Sequence, residues 1–194
     1  MESLAALGLV LQLGHAVGEK CPHPSRHHQL TIFDLNGVHQ VIIRYCVCSP
    51  EDPAYRRRQL LRMMWFPATL VQPHTVFTFH LLDFFHQLQS HNKTNLYNFY
   101  NTIVRLSNNA GLSPEIVSPK GPIFYLFAQP IIQHRYNEIS LVYRMWVHLH
   151  ILKRGGAAYH PGGADSLPDG SMAVECPACP HPGRNIDAQA LAEE

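Results

Sequence analysis

The stretch LTIFDLNGVHQVIIRYC, residues 30–46, constrains this chain more than any other. Two runs rich in β-branched and aromatic residues flank Asn36-Gly37, the favoured pair for a two-residue type I′ turn, so the pattern predicts a β-hairpin. Its outgoing strand runs into Cys46-Val47-Cys48. Side chains of an extended strand alternate between faces, which puts both thiols on one side, where they can share a ligand. The hairpin thus ends in a pair of sulfurs that the rest of the fold has to accommodate.

Two more close-spaced groups accompany that pair. His15 and Cys21 lie in GHAVGEKC, and Cys176, Cys179 and His181 lie in CPACPHPG, where prolines stiffen a turn. Structural zinc takes four sulfur or nitrogen ligands in a tetrahedron at about 2.0–2.3 Å, commonly supplied as close pairs. His15, Cys21, Cys46 and Cys48 form the first grouping, because all lie beside the hairpin. Cys46, Cys48, Cys176 and Cys179 form an alternative four-thiolate set, with His39, His160 and His181 as spare ligands. Reduced thiols packed as small hydrophobes are the plainer alternative. A redox role for Cys176-Pro-Ala-Cys179 is the weaker third, because Pro180 and Pro182 oppose the helix start that lowers a thiol pKa in such enzymes.

The N-terminal LAALGLVLQLGHAVG lacks a basic flank and is broken by Gln12 and His15, which argues against a signal peptide. No run reaches the ~18–20 apolar residues of a membrane span. The expectation is an intracellular chain, in which five cysteines point to metal rather than to disulfides.

From residue 75 the apolar spacing becomes helical. TVFTFHLLDFFHQLQS places Phe77, Leu81, Phe84, Phe85 and Leu88 on one stripe, and NLYNFYNTIVRLSNNAG does the same with Leu96, Phe99, Ile103 and Leu106. A third helix is predicted over 136–154, with Ile139, Val142, Tyr143, Trp146, Leu149 and Leu152 inward and Gly155-Gly156 as its stop. Such stripes build a core rather than a binding platform. The reading is an α+β fold, a zinc-stapled β-hairpin region packed with a small helical subdomain of about three helices.

Charge and carboxylates narrow the function. Only 15% of residues are charged and the net charge is +1, so no whole-chain footprint for nucleic acid exists and any such contact is local. The local candidates are Arg56, Arg57, Arg58 and Arg62, with a solvated helical face as the plainer alternative. The interior carboxylates, chiefly Asp34, Asp83 and Glu138, do not form the converging set that a metal-dependent nuclease needs. A non-catalytic chain is expected, with neither a small-molecule substrate nor a membrane.

The order of the motifs adds a resemblance. LGLVLQLGHAVGEKCPHP, FDLNGVHQVIIRYCVC, RRRQLLRMMWFPAT, LYNFYNTIVRLSNNAGL, HLHILKRGG and CPACPHPG together resemble the Cys-x-Cys (type two) cysteine-cluster domain of fungal KDZ (Kyakuja-Dileera-Zisupton) transposases. In that family the region is a zinc-chelating module preceding an RNase-H-like core. Cys21, Cys46, Cys48, Cys176 and Cys179 fall on its cysteine positions, and His15 falls on its Gly-His element. The resemblance implies a zinc-binding accessory region, nuclear, supporting contact with DNA such as transposon ends or with other transposase domains. It also implies a fragment without the catalytic core. A protein-interaction module shaped by zinc is the second reading.

These boundaries follow: a cysteine-cluster domain over 1–183, with the hairpin and Cys-x-Cys at about 30–48, the helical part at about 75–154, the CPACP turn at 176–183 and a disordered tail at 184–194. Residues 117–133, VSPKGPIFYLFAQPIIQ, depart from the family pattern and read as an insertion or a retained intron, since Val-Ser can be encoded by GTAAGT and Gln by CAG. An irregular surface segment is expected there.

Overall fold

The computed structural model describes residues 7–16, 18–48, 54–107, 128–157, 159–167 and 178–179, with the backbone alone over 128–134. The chain divides into two units, Met1–Val147 and His148–Glu194. The fold is α+β. Five strands, β1 (Val10–Gln12), β2 (His28–Asp34), β3 (Gly37–Arg44), β4 (Trp65–Pro67) and β5 (Thr75–Thr78), form one sheet in the order β1-β3-β2-β5-β4. The helices are α1 (Tyr55–Arg62), α2 (Phe79–Asn92), α3 (Leu96–Ser107) and α4 (Ala128–Arg154).

The predicted hairpin is β2–β3, antiparallel from His28↔Ile43 to Asp34↔Gly37. Its turn differs from the expectation. The bend falls on Leu35-Asn36, one residue early, and neither has a positive φ, so it is not a type I′ turn. Gly37 instead opens β3 at φ +132. A Cβ there would lie 2.7 Å from Ser107 Oγ, and that hydroxyl accepts the Val38 N–H at 2.5 Å. The glycine therefore serves the docking of α3 on the turn as well as the turn itself.

Alternation along the strands divides the core between the two faces of the sheet. Leu30, Ile32, Val41, Ile43 and Val76 pack on one face with Leu13, Tyr45 and Leu60 of α1. Phe33, Phe66 and Phe77 pack on the other with Leu81, Leu82 and Phe85 of α2, Phe99, Tyr100 and Ile103 of α3, and Ile139, Val142, Tyr143 and Trp146 of α4. Ring pairs join this second layer, among them Phe85 with Phe99 and with Tyr143, each at 4.8 Å between centroids.

Where the spacing predicts a helix from residue 75, only the later part is helical. Thr75–Thr78 is a strand parallel to β2, and the helix starts only at Phe79. Thr78 makes the switch: its Oγ1 accepts the Leu81 N–H at 3.1 Å as an N-cap and donates to Asp34 Oδ1 at 2.7 Å. The apolar stripes are also narrower than predicted, since Phe84 is 48% exposed, Leu106 58% and Leu149 46%. Helix α4 begins at Ala128, so residues 128–133 are helical where an irregular segment was expected, and Pro130 sits in the first turn, where no backbone donor is needed. Residues 117–127 and 184–194 lie outside the described residues.

In the second unit the stop at Gly155-Gly156 is observed. Gly156 has φ +79, and the Ala157 N–H reaches the Leu152 carbonyl at 3.0 Å, closing the helix C-terminus. Beyond it a 3-10 turn spans Gly163–Ser166. Among the described residues no helix is long and apolar enough to cross a membrane.

The contrast between neighbouring phenylalanines tests this packing. Phe85→Ala should cost about 3–5 kcal/mol of stability by loss of burial and cavity formation, whereas Phe84→Ala should cost under about 1 kcal/mol, as exposed positions do. Urea unfolding of both variants checks it, and equal losses would contradict the observed stripe.

Candidate metal centre

Three chain segments converge at one end of the sheet. Strand β1 pairs parallel with β3 in the register Val10↔Ile42, Leu11↔Ile43, Gln12↔Arg44, and the Leu13 N–H continues the ladder to the Arg44 carbonyl at 2.9 Å. Two residues farther along each strand the register sets Gly14 beside Cys46, and His15 follows. From the other side, Pro24 forms an antiparallel bridge with Cys46. The Ser25 N–H donates to the Tyr45 carbonyl at 2.8 Å and the Val47 N–H to the His23 carbonyl at 3.0 Å, which carries Cys21 back toward Cys48.

The result is a cluster of His15, Cys21, Cys46 and Cys48 whose ligand atoms all lie within 4.8 Å of one another. His15 Nε2 is 3.1 Å from Cys46 Sγ and 3.6 Å from Cys48 Sγ. Cys21 Sγ and Cys48 Sγ are 3.7 Å apart. Four ligands placed tetrahedrally about 2.0–2.3 Å from a common centre stand about 3.3–3.8 Å from one another. The observed separations approach those edges, and three sulfurs with one imidazole are a donor set that can hold a metal ion. Among the described residues this is the one such group.

The thiols are electrostatically unequal. Burial pushes the Cys46 thiol up, but hydrogen bonds from the Cys48 N–H, from the Cys48 and Cys21 thiols and from His15 outweigh it and bring it down to about 7. The Cys48 thiol, hydrogen-bonded to Cys46 and affected by burial and by Cys21, is pushed up to about 11. Of these two thiols Cys46 is therefore the more readily ionised.

Surrounding side chains hold the ligands. Gln59, buried on α1, accepts the Cys46 N–H on Oε1 at 2.9 Å and donates Nε2 to the Cys46 carbonyl at 2.8 Å. Glu19 Oε2 stands 3.9 Å from His15 Nδ1, on the ring nitrogen that the cluster leaves over. Gly14, at φ +91, leaves no room for a side chain: a Cβ there would lie 2.5 Å from Cys46 Cβ and 3.0 Å from Gln59 Oε1. None of these three was singled out from the sequence. Gly14 immediately before His15 was the available signal, whereas Gln59 is hidden in a run of arginines and leucines.

Among the other expected site residues, His39 and the basic quartet belong to the first unit. His39 is at the turn end of the hairpin, its Nε2 2.7 Å from Asn36 Oδ1, at the opposite end of β3 from the cluster. Cys179 is exposed in the second unit. His160 there pairs with Ser166 Oγ through Nδ1 at 2.6 Å. Cys176 and His181 lie outside the described residues. Of the basic quartet, Arg56 is engaged in packing: its guanidinium lies 5.8 Å from the Tyr45 ring and 5.5 Å from the Tyr55 ring, and Nε donates to Tyr55 Oη at 2.9 Å. Arg58 and Arg62 are exposed and Arg57 is half-buried.

Comparison with known families agrees with this geometry. The profile of the family described as "CxC2 like cysteine cluster associated with KDZ transposases" matches residues 4–111, a span that holds all four cluster residues, the whole sheet and α1 to α3. It does not extend to CPACPHPG. No curated protein and no solved structure matches the chain.

The tightest contact makes the sharpest test of the site. Gly14→Ala should cost at least about 2 kcal/mol, from left-handed backbone strain and from displacement of Cys46. Urea unfolding measures it, and a neutral substitution would mean that β1 does not lie against Cys46 as described.

Proposed function

The chain belongs to the CxC2-like family of cysteine clusters associated with KDZ transposases, an accessory rather than a catalytic domain, and from that premise we propose that it acts as a structural zinc module supporting macromolecular contact by a transposase. The observation that carries this reading is the four-ligand cluster of His15, Cys21, Cys46 and Cys48. Four protein ligands fill a tetrahedral zinc and leave no open position, which is the arrangement of a structural rather than a catalytic ion. Bound zinc supplies folding free energy to the segments it joins. The ligands come from the segment before the hairpin and from its outgoing end, so the ion staples the N-terminal segment to the sheet. The setting of such a module is the nucleus, with DNA as the first candidate partner through Arg57, Arg58 and Arg62.

Metal analysis of the purified chain tests the site. One zinc per chain is expected in the wild type and in Cys176→Ser, and none in Cys46→Ser. Loss in both variants would favour the grouping of Cys46 and Cys48 with Cys176 and Cys179. A folded wild-type chain that binds no zinc would end the reading.

A protein partner is the second reading, favoured by the net charge of +1. The salt dependence of binding to duplex DNA separates the two. Contact through three arginines predicts that log affinity falls with log salt at a slope of about −2 to −3, at roughly −0.9 per phosphate neutralised. No measurable binding at low salt would favour the protein partner.

A further inference from the structure

We propose that Gln59 is the positioning residue of the metal site, and that through it metal occupancy governs the placement of helix α1 and its arginines. The inference rests on the zinc reading above and adds a residue and a coupling to it.

Gln59 is 8% exposed. A buried primary amide is costly unless its donors and acceptor are matched, and here both ends are used on a single residue, the N–H and the carbonyl of Cys46. The amide does for Cys46 what a neighbouring strand would do. It pairs both backbone groups just past the end of β3, where the ladder to β2 has stopped at His28↔Ile43. Gln59 holds the Cys46 backbone on this side, the Pro24 bridge on another and the bare Gly14 on a third, which aims Cys46 at the cluster.

The coupling runs in the other direction as well. Helix α1 has eight residues, no side-chain N-cap bond and no acidic residue in its first turn, so little in its own sequence makes it stable alone. Its attachments include Leu60 and Tyr55 in one core layer, Leu61 against the other, Gln59 on Cys46, and Arg56 over the rings of Tyr45 and Tyr55. One of those partners, Cys46, belongs to the metal cluster, and Tyr45 is its neighbour in the chain. An ion bound at Cys46 thereby orders the helix that carries Arg57, Arg58 and Arg62.

Zinc affinity measured by competition with a chromogenic chelator, together with amide hydrogen exchange across α1, tests this. Gln59→Met, of similar length without the amide, should bind zinc about tenfold to a hundredfold more weakly, as loss of a residue that orients a ligand does. Its cobalt-substituted absorption bands should shift. Gln59→Glu, which keeps the acceptor for the Cys46 N–H but loses the donor, should fall between and serves if the methionine variant does not fold. Leu60→Ala should lower overall stability while leaving zinc affinity of the folded chain within about twofold. In the wild type, zinc should slow exchange of the α1 amides. Unchanged affinity in a folded Gln59 variant, a loss in Leu60→Ala as large as in Gln59→Met, or α1 exchange indifferent to zinc would each overturn the proposal while leaving the zinc site standing. Absence of zinc binding by the wild type would overturn both.

Discussion

The parallel pairing of β1 with β3 is the interaction on which the site depends. Between Leu13 and Leu30 no described residue is buried, so this stretch has no core of its own to hold it in place. Its attachments include the three-residue strand β1, the bridge at Pro24 with the hydrogen bonds of His23 and Ser25, and the cluster residues His15 and Cys21. A segment so poor in apolar burial gains little from the hydrophobic effect, and small coreless regions of this kind need a cross-link or an ion. The pairing register sets Gly14 against Cys46, and the absence of a side chain at Gly14 is what lets the two segments approach. Once they do, three sulfurs and an imidazole stand within hydrogen-bonding reach of one another, in a space of the size a metal ion needs.

How much of this was legible in the sequence depended on whether the cause was local. Cys46 and Cys48 at the end of a hairpin, His15 and Cys21 as the complementary pair, and the stop at Gly155-Gly156 follow from spacing and backbone chemistry, and the structure brings those four ligands together. The turn was misplaced by one residue because Asn36-Gly37 is the favoured type I′ pair in isolation, whereas Gly37 is needed where Ser107 of α3 presses on the turn. That is a contact between residues far apart in sequence. Strand β5 was hidden because Thr75, Val76 and Phe77 continue into a helix without a loop, so the apolar spacing runs on while its period changes. Strand β1 has three residues, too short for any period to show.

The exposed members of the apolar stripes have a related cause. Phe84, Leu106 and Leu149 fit a helical period, but the period fixes only which residues share a face, not how wide a face the neighbours cover. Here the second layer is closed by aromatic pairs centred on Phe85, Phe99 and Tyr143. Phe84 is left at the edge, its ring stacked on Phe99 at 6.3 Å between centroids. Gln59 is the converse case: a polar residue buried on a helix that reads as basic, matched by a backbone thirteen residues away, which no pattern in RRRQLLR announces.

The same geometry bears on what kind of centre this is. A catalytic ion needs a position open to water or substrate and neighbours that move protons. Here the four candidate ligands sit at the end of a strand, and among the described residues that contact them are Gln59 and Gly14, which hold backbone in place, and Glu19, which stands toward the far nitrogen of His15. Each of these contacts holds a cluster residue in place. The physical work of such a centre is to join segments that burial cannot join. Its effect on a partner then passes through the surface those segments carry, and the element most directly tied to the centre is the helix on which Gln59 and the arginines lie together.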